Sequence, residues 1–451
     1  AHGDAWPHDG RTTVKLMPEG LARMTGFASH LFLWLLLGAI AAVGGPVGAC
    51  AKTLVIEPGD GALQQAIRSA SAGDTIVVSP GVHLGPIIID KDVTVRGKEG
   101  AIIDGQGTSR VVTIDAPSVK LTGLTIRGSG GLLATEDSGV FVTKRGEGSI
   151  VENNNITGNL IGVYLKGPRD AVVRGNRISG RSDLRLNERG NGVHLWNTPG
   201  SVVEGNDISQ GRDGIFVTTS KRNTFRDNRI HNVRFAVHYM YTNDSEVSGN
   251  VSAGNHLGYA IMYSSRIKVK RNSSKGDRKY GFLLNYANRS DFDGNFVEGA
   301  NKCVFIYNAN RNTFRRNMFR DCQIGIHFTA GSERNSISEN AFIQNRAQVK
   351  YVGTRHIEWS ANSRGNYWSD NLAFDLNSDG IADEPYKPND VVDQLVWRHP
   401  AAKLLLTSPA VHVLRWAQSV FPSLYPGGVT DSAPLMKSPA SDYSRTGGDG
   451  S

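Results

Sequence analysis

The sequence predicts an all-β chain: a right-handed parallel β-helix of about 22 residues per coil, with an N-terminal capping helix and a short helical C-terminal extension. Two observations carry this. Asn recurs at positions 154, 176, 206, 228, 250, 272, 295, 317 and 340, in steps of 22, 30, 22, 22, 22, 23, 22 and 23. A short apolar run follows in phase, reading GVYL at 162, GVHL at 192, GIFV at 214, AVHY at 236, GYAI at 258, GFLL at 281, CVFI at 303 and GIHF at 325. A strict period of this length, with several short β runs per repeat, means a solenoid. Helical repeats are excluded because each run is only about four to six residues, alternates with period two, and is rich in Val, Ile, Phe and Tyr.

In chain order, residues 1–51 read as an N-terminal extension that contains a secretory signal. The apolar run at 31–43 (LFLWLLLGAIAAV) is preceded by Arg23 and followed by small residues, with a start at Met17 or Met24. It is too short for a membrane span. Two cleavage patterns overlap: Ala49-Cys50-Ala51 suits a soluble periplasmic product released before Lys52, while Val47-Gly48-Ala49-Cys50 resembles a lipoprotein box that tethers the chain through Cys50. Residues 52–365 are the β-helix. Its stretch at 62–78 (ALQQAIRSASAGDTIVV) has helical spacing at Leu63, Ile67 and Ala70 and stops at Gly73, which suits an amphipathic cap over otherwise unpaired strand edges. The long step carries an insertion near residues 181–189. The Asn column suits an amide ladder, and Asn tolerates left-handed turns. Cys303 and Cys322 remain beyond the signal. They pair in an oxidising compartment, which requires a folded-back turn, or stay as two buried thiols.

Strand alternation separates inside from outside. One parity is apolar and forms the core. Down the other run His194, Phe216, His238, Ala260, Leu283, Phe305 and His327, beside Trp196, Thr218, Met240, Met262, Asn285, Tyr307 and Thr329. These columns hold no carboxylate. Polysaccharide lyases, hydrolases and epimerases on β-helices need acidic pairs or carboxylate-held Ca²⁺, so sugar chemistry is disfavoured on this face. The SRIK at 265–268 is similar to a polygalacturonase element, but without its Asp pairs and Gly-His-Gly. The columns offer soft ligands instead. Met240 and Met262 fall at the same place on successive coils, about 4.8 Å apart along the axis, and His238 shares their face. Two thioethers and an imidazole suit Cu(I). The remaining outward residues, His194, Trp196, Phe216, Phe305, Tyr307 and His327, suit an adaptable protein interface.

Charge adds a second theme. The formal net charge is +8, and residues 221–320 hold 18 Lys/Arg against seven Asp/Glu. This excess suits an acidic protein or a membrane surface, or is a solvated face. Nucleic acid is not indicated, since no zinc-finger, helix-turn-helix or RNA-binding signature appears. Residues 366–394 contain DLNSDGIAD, which places ligand oxygens at Asp375, Asn377, Asp379, the Ile381 carbonyl and Asp383, the opening of a Ca²⁺ loop. Its twelfth position is Tyr386 and not Glu, so the bidentate ligand comes from elsewhere or is missing; any Ca²⁺ there is structural, and the alternative is an unliganded Asx-turn loop. Residues 395–436 read as a helical docking extension, in which 395–424 is apolar with helical spacing, broken by Pro400 and Pro409, and suits short helices packed on the last coil or offered to a membrane partner, with Trp416 among the contacts. Residues 437–451 read as a disordered tail.

The cap LQQAIRSASAGDTIVVSPG, the coils RFAVHYMYTND and KCVFIYNANRNTF, GIHFTAGSERN, the block GNYWSDNLAFDLNSDGIADEPYKPND and the ending SPAVHVLRWAQSVFPSLYPGGVTDSAPLM together resemble the NosD family, the periplasmic maturation proteins of nitrous oxide reductase. The resemblance covers residues 52–436. It implies a non-enzymatic role: supplying copper for the copper-sulfide cluster of apo nitrous oxide reductase, together with an ABC transporter (permease and ATPase) and a copper chaperone lipoprotein. It also implies that the C-terminal helices dock on the transporter, so that membrane association runs through that partner. It does not assign copper ligands. Two other readings stand beside it: a carbohydrate-binding or carbohydrate-active β-helix, and a metal-free adaptor between transporter and client.

Overall fold

The computed structural model describes residues 51–439 except 330, 390, 406–407 and 422–426. The signal segment, Cys50 and residues 440–451 therefore lie outside the described residues. Each coil gives one strand in turn to three parallel sheets of 13, 13 and 12 strands, here sheets I, II and III. One coil, for example, runs through Glu246–Ser248 in sheet I, Val251–Ala253 in sheet II and Leu257–Met262 in sheet III. The first two are three residues long and the third is six, so sheet III forms the broadest face of the solenoid.

Inward side chains stack coil on coil into one core, aliphatic at Val163, Val193 and Ile215 and increasingly aromatic at Phe292, Phe314, Phe342 and Trp368. Phe292 and Phe314 stack with centroids 4.5 Å apart, and Phe342 and Trp368 at 4.3 Å. The Asn column is an amide ladder, fully buried. Asn250 Oδ1 accepts the backbone N–H of Asn228 at 3.0 Å and its Nδ2 at 2.9 Å, while Asn250 Nδ2 donates to the Phe225 carbonyl and to Asn272 Oδ1. The left-handed residue is not the Asn, as the sequence suggests, but the one before it: Asp227 (φ 55°), Gly249 (φ 66°) and Arg271 (φ 50°). The Asn is therefore there for its amide alone, which answers backbone groups that the sharp corner leaves unpaired.

The ends are closed differently. At the N-terminus helix α1 (Ala62–Ser69) buries Leu63, Ala66 and Ile67 against the first coil. At the other end the ladder runs on to Asn366 and stops at Asp431, whose Oδ2 accepts the backbone N–H of Asn366 at 2.7 Å and the Trp368 indole N–H at 2.8 Å. A Cβ on Gly365 would collide with that carboxylate, so glycine is required there. The strand Gly428–Thr430 pairs with His356–Glu358, and Val429, Asp431, Ala433 and Leu435 are buried. Near the C-terminus the helices α2 (Val391–Arg398) and α3 (Pro409–Val420) flank a 3₁₀ turn, Pro400–Leu405, and the chain then returns to seal the last coil. None of the described helices is long and apolar enough to cross a membrane.

Cys303 and Cys322 are disulfide-bonded with Cα atoms 5.7 Å apart. Cys322 lies two residues ahead of the strand Ile324–Thr329, which pairs with Lys302–Tyr307, so the offset in sequence register is absorbed where one coil turns into the next.

Candidate functional site

Sheet III places the two outward columns as the alternation predicts. Tyr164, His194, Phe216, His238, Ala260, Leu283, Phe305, His327 and Lys350 are successive register partners, and so are Lys166, Trp196, Thr218, Met240, Met262, Asn285 and Tyr307. Met240 and Met262 are thus side by side on adjacent strands, both half-buried. The first column packs into a ring ladder: Tyr164 stacks on His194 at 4.2 Å, and Phe216 bridges His194 at 5.0 Å and His238 at 4.9 Å.

His238 departs from the solvent-facing ligand the sequence suggests. It is 7% exposed, because Phe216 and Phe235 cover it. Its Nδ1 lies 3.0 Å from Oδ2 of Asp213, which also takes a two-pronged hydrogen bond from Arg234 at 2.8 and 2.7 Å. The expectation of a face without carboxylates is therefore corrected. Asp213 starts its strand at the position held by Phe235 and Leu257 in the next coils, and reaches the His column from there. Burial works to raise the Asp213 pKa, but the hydrogen bonds from His238 and Arg234 prevail and hold the carboxyl below its usual range. An ionised acceptor at Nδ1 places the ring proton there and turns the lone pair to Nε2. That atom is buried and has no hydrogen-bond partner.

Beyond the methionines lies a feature that sequence reasoning missed. Tyr241, Tyr263 and Tyr286 follow the second column at each coil and are exposed, with φ of 50°, 48° and 51°. Left-handed backbone is costly for a bulky residue. Their rings stack at 5.1 Å in both steps, so the ring faces cover one another, and the Tyr286 hydroxyl accepts from Asn308 Nδ2. The signal was present as a tyrosine directly after Met240, Met262 and Asn285. Of the other expected contact residues, Trp196, Tyr307 and Trp416 are exposed, whereas His194, Phe216, Phe305 and His327 are half-buried. Burial first, then the Arg212 charge, pushes His194 down to about 4; burial, then Lys302 and Lys350, does the same to His327.

The loop at 375–383 turns its oxygens on itself. Asp375 accepts from the backbone of Asp379 and Gly380, Asp379 from Ile381, and Asp383 from Leu376. Tyr386, in the twelfth position, packs on Trp368 at 4.6 Å and donates to Asp370. Among the described residues no three His, Cys, Asp or Glu side chains gather to hold a metal.

A family model described as "Periplasmic copper-binding protein (NosD)" matches residues 174–373. A relative from Stutzerimonas stutzeri, "Probable ABC transporter binding protein NosD", is 42% identical over 374 residues, covering 80% of this chain and 86% of the relative. The chain belongs to the NosD family. A second relative of the same description, from Pseudomonas aeruginosa, is 41% identical over 81% of this chain and 89% of its own length. Among solved structures, the Dettilon tailspike protein superposes with a TM-score of 0.54 at 15% identity, covering 66% of this chain and 68% of the tailspike. The alginate lyase AlyF-OU02 superposes with a TM-score of 0.51 at 12% identity, covering 70% of this chain and 86% of the lyase. These two likenesses are of fold alone.

Proposed function

We propose that this NosD-family chain is a non-enzymatic periplasmic accessory protein that receives Cu(I) on sheet III and passes it on for assembly of the copper-sulfide cluster of nitrous oxide reductase. Copper is cargo here, taken from a chaperone lipoprotein and delivered beside an ABC transporter, with the exposed Trp416 of α3 in the transporter contact. The observation that carries the reading is the in-register pair Met240 and Met262 beside His238, whose Nε2 is left without a partner while Asp213 holds Nδ1. A carboxylate behind the ring is how proteins orient a ligating imidazole, and thioethers select Cu(I) over harder ions. The family description as periplasmic and copper-binding, and the relatives' description as ABC transporter binding proteins, support the compartment, the metal and the partner class. Any Ca²⁺ held at Asp375, Asn377, Asp379, the Ile381 carbonyl and Asp383 would be structural and apart from the copper path.

Anaerobic Cu(I) competition titration tests the site. The protein is expected to bind copper, and Met240→Leu with Met262→Leu to weaken it by about tenfold or more; Asp213→Asn, which loosens His238 and also weakens the hold on Arg234, is expected to cost about 10- to 100-fold. Undiminished affinity in the methionine double variant overturns the site. Absence of copper binding, with partner association that survives chelation, favours the metal-free adaptor.

A further inference from the structure

At the opposite edge of sheet III, where its strands begin, the chain gathers cations. Arg212, Arg234, His256 and Lys279 immediately precede four successive strands, and the next strand begins on Lys302. Arg234 is answered by Asp213, and the triad formed by Lys279, Lys302 and Lys350 is not answered by any carboxylate ion pair among the described residues. These lysines lie over rings instead. The Lys302 ammonium is 5.0 Å from the Tyr280 centroid and 4.7 Å from that of Phe305, Lys279 is 5.3 Å from Tyr280, and Lys350 is 5.7 Å from Trp397 of α2. Cation–π contact compensates only part of the desolvation of an ammonium. Burial and the neighbouring Lys350 and Lys279 lower the Lys302 pKa, and Nδ1 of His327, the register partner of the Phe305 ring under Lys302, is buried with no hydrogen-bond partner. Three crowded cations and an unsatisfied imidazole make a site that is unfavourable when empty and would be relieved by negative charge.

We infer that Lys279, Lys302, Lys350 and His327 form a docking site for a carboxylate-rich segment of a partner protein, lying along the solenoid axis between the aromatic column and α2. Lys279 and Lys302 mark the strand starts of neighbouring coils, and His327 and Lys350 follow on the next two coils in the Phe305 column, so a chain crossing the coils obliquely meets them in turn. Lys279 is exposed, whereas Lys302 and Lys350 are half-buried against rings, and the recession of these two selects the occupant. A carboxylate on a flexible side chain reaches a half-buried ammonium, whereas the headgroup plane of a membrane rests on protruding lysines and leaves recessed ones dry. The site is distinct from the copper reading, because His327 and Lys350 lie four and five coils further along the column than His238.

The test uses the full chain and a fluorescein-labelled Asp/Glu decapeptide, followed by anisotropy at low and moderate salt. Binding that weakens with salt is expected, with at least a tenfold loss in the variant Lys279→Gln, Lys302→Gln, Lys350→Gln. The control Lys268→Gln, Lys270→Gln, Lys275→Gln, which removes equal charge from sheets I and II, is expected to change affinity less than twofold. Equal loss in both triple variants means diffuse attraction only and overturns the site. So does no binding, or binding of phosphatidylserine vesicles that depends on the three lysines while the peptide shows none. Circular dichroism confirms that the variants fold. Cu(I) affinity of the site variant is expected to equal that of the unaltered chain, so failure here and failure of the copper reading are read separately.

Discussion

The Asn at each coil was legible as a column from its period alone, but its reason was not. Spacing says that a residue recurs; only the hydrogen bonds say that the preceding residue takes the left-handed turn and the amide repairs it. Removing one rung tests this. Asn250→Ala leaves the backbone N–H of Asn228 buried without its acceptor and removes one bond each from the Asn228 amide and the Phe225 carbonyl, and is expected to cost about 2 kcal/mol or more, read as a shift in denaturant midpoint. His238 shows the opposite limit. Its column and direction were legible, since parity fixes both. Its burial was not, because Phe235 and Asp213 reach it from other strand positions, and the Asp213 contact spans 25 residues. Alternation describes one strand at a time and carries no information about a side chain leaning across from the next coil.

Among the elements, the solenoid strands and α1 were written locally. Each strand has its own apolar alternation and α1 its own apolar stripe, and the structure places them within a residue or two of those patterns. The C-terminal return was not. Nothing in GVTDSAPL resembles a strand or a cap by pattern, because what fixes it is distant: the Asp431 hydrogen bonds to Asn366 and Trp368 span 65 and 63 residues. Deleting residues from Gly427 onward, while keeping the helices, is expected to unseal the last coil, uncovering Trp368 and an unpaired strand edge. Concentration-dependent self-association in size-exclusion chromatography, with a lowered unfolding temperature, is the expected readout. An unchanged monomer would mean that the return is dispensable.

For the whole molecule, repetition made the architecture readable and also sets how it responds to acid. His194 and His327 ordinarily protonate near 6.5 and in the fold only near 4. Between those values the unfolded chain takes up protons that the folded chain refuses, so stability is full above about pH 6.5 and falls as pH drops toward 4. Unfolding temperatures measured from pH 7.5 to 4.5 should decline, and His327→Gln should flatten part of the slope. The amide ladder has one more implication. Every rung donates in the same sense, from Asn154 toward Asn366, so the column has a head and a tail, and the tail ends on an anion. Extra coils spliced between Asn206 and Asn340 would inherit matching neighbours on both sides, whereas a coil appended after Asn366 would have to carry its own terminating carboxylate. In this chain, length is adjustable in the middle and fixed at the finish.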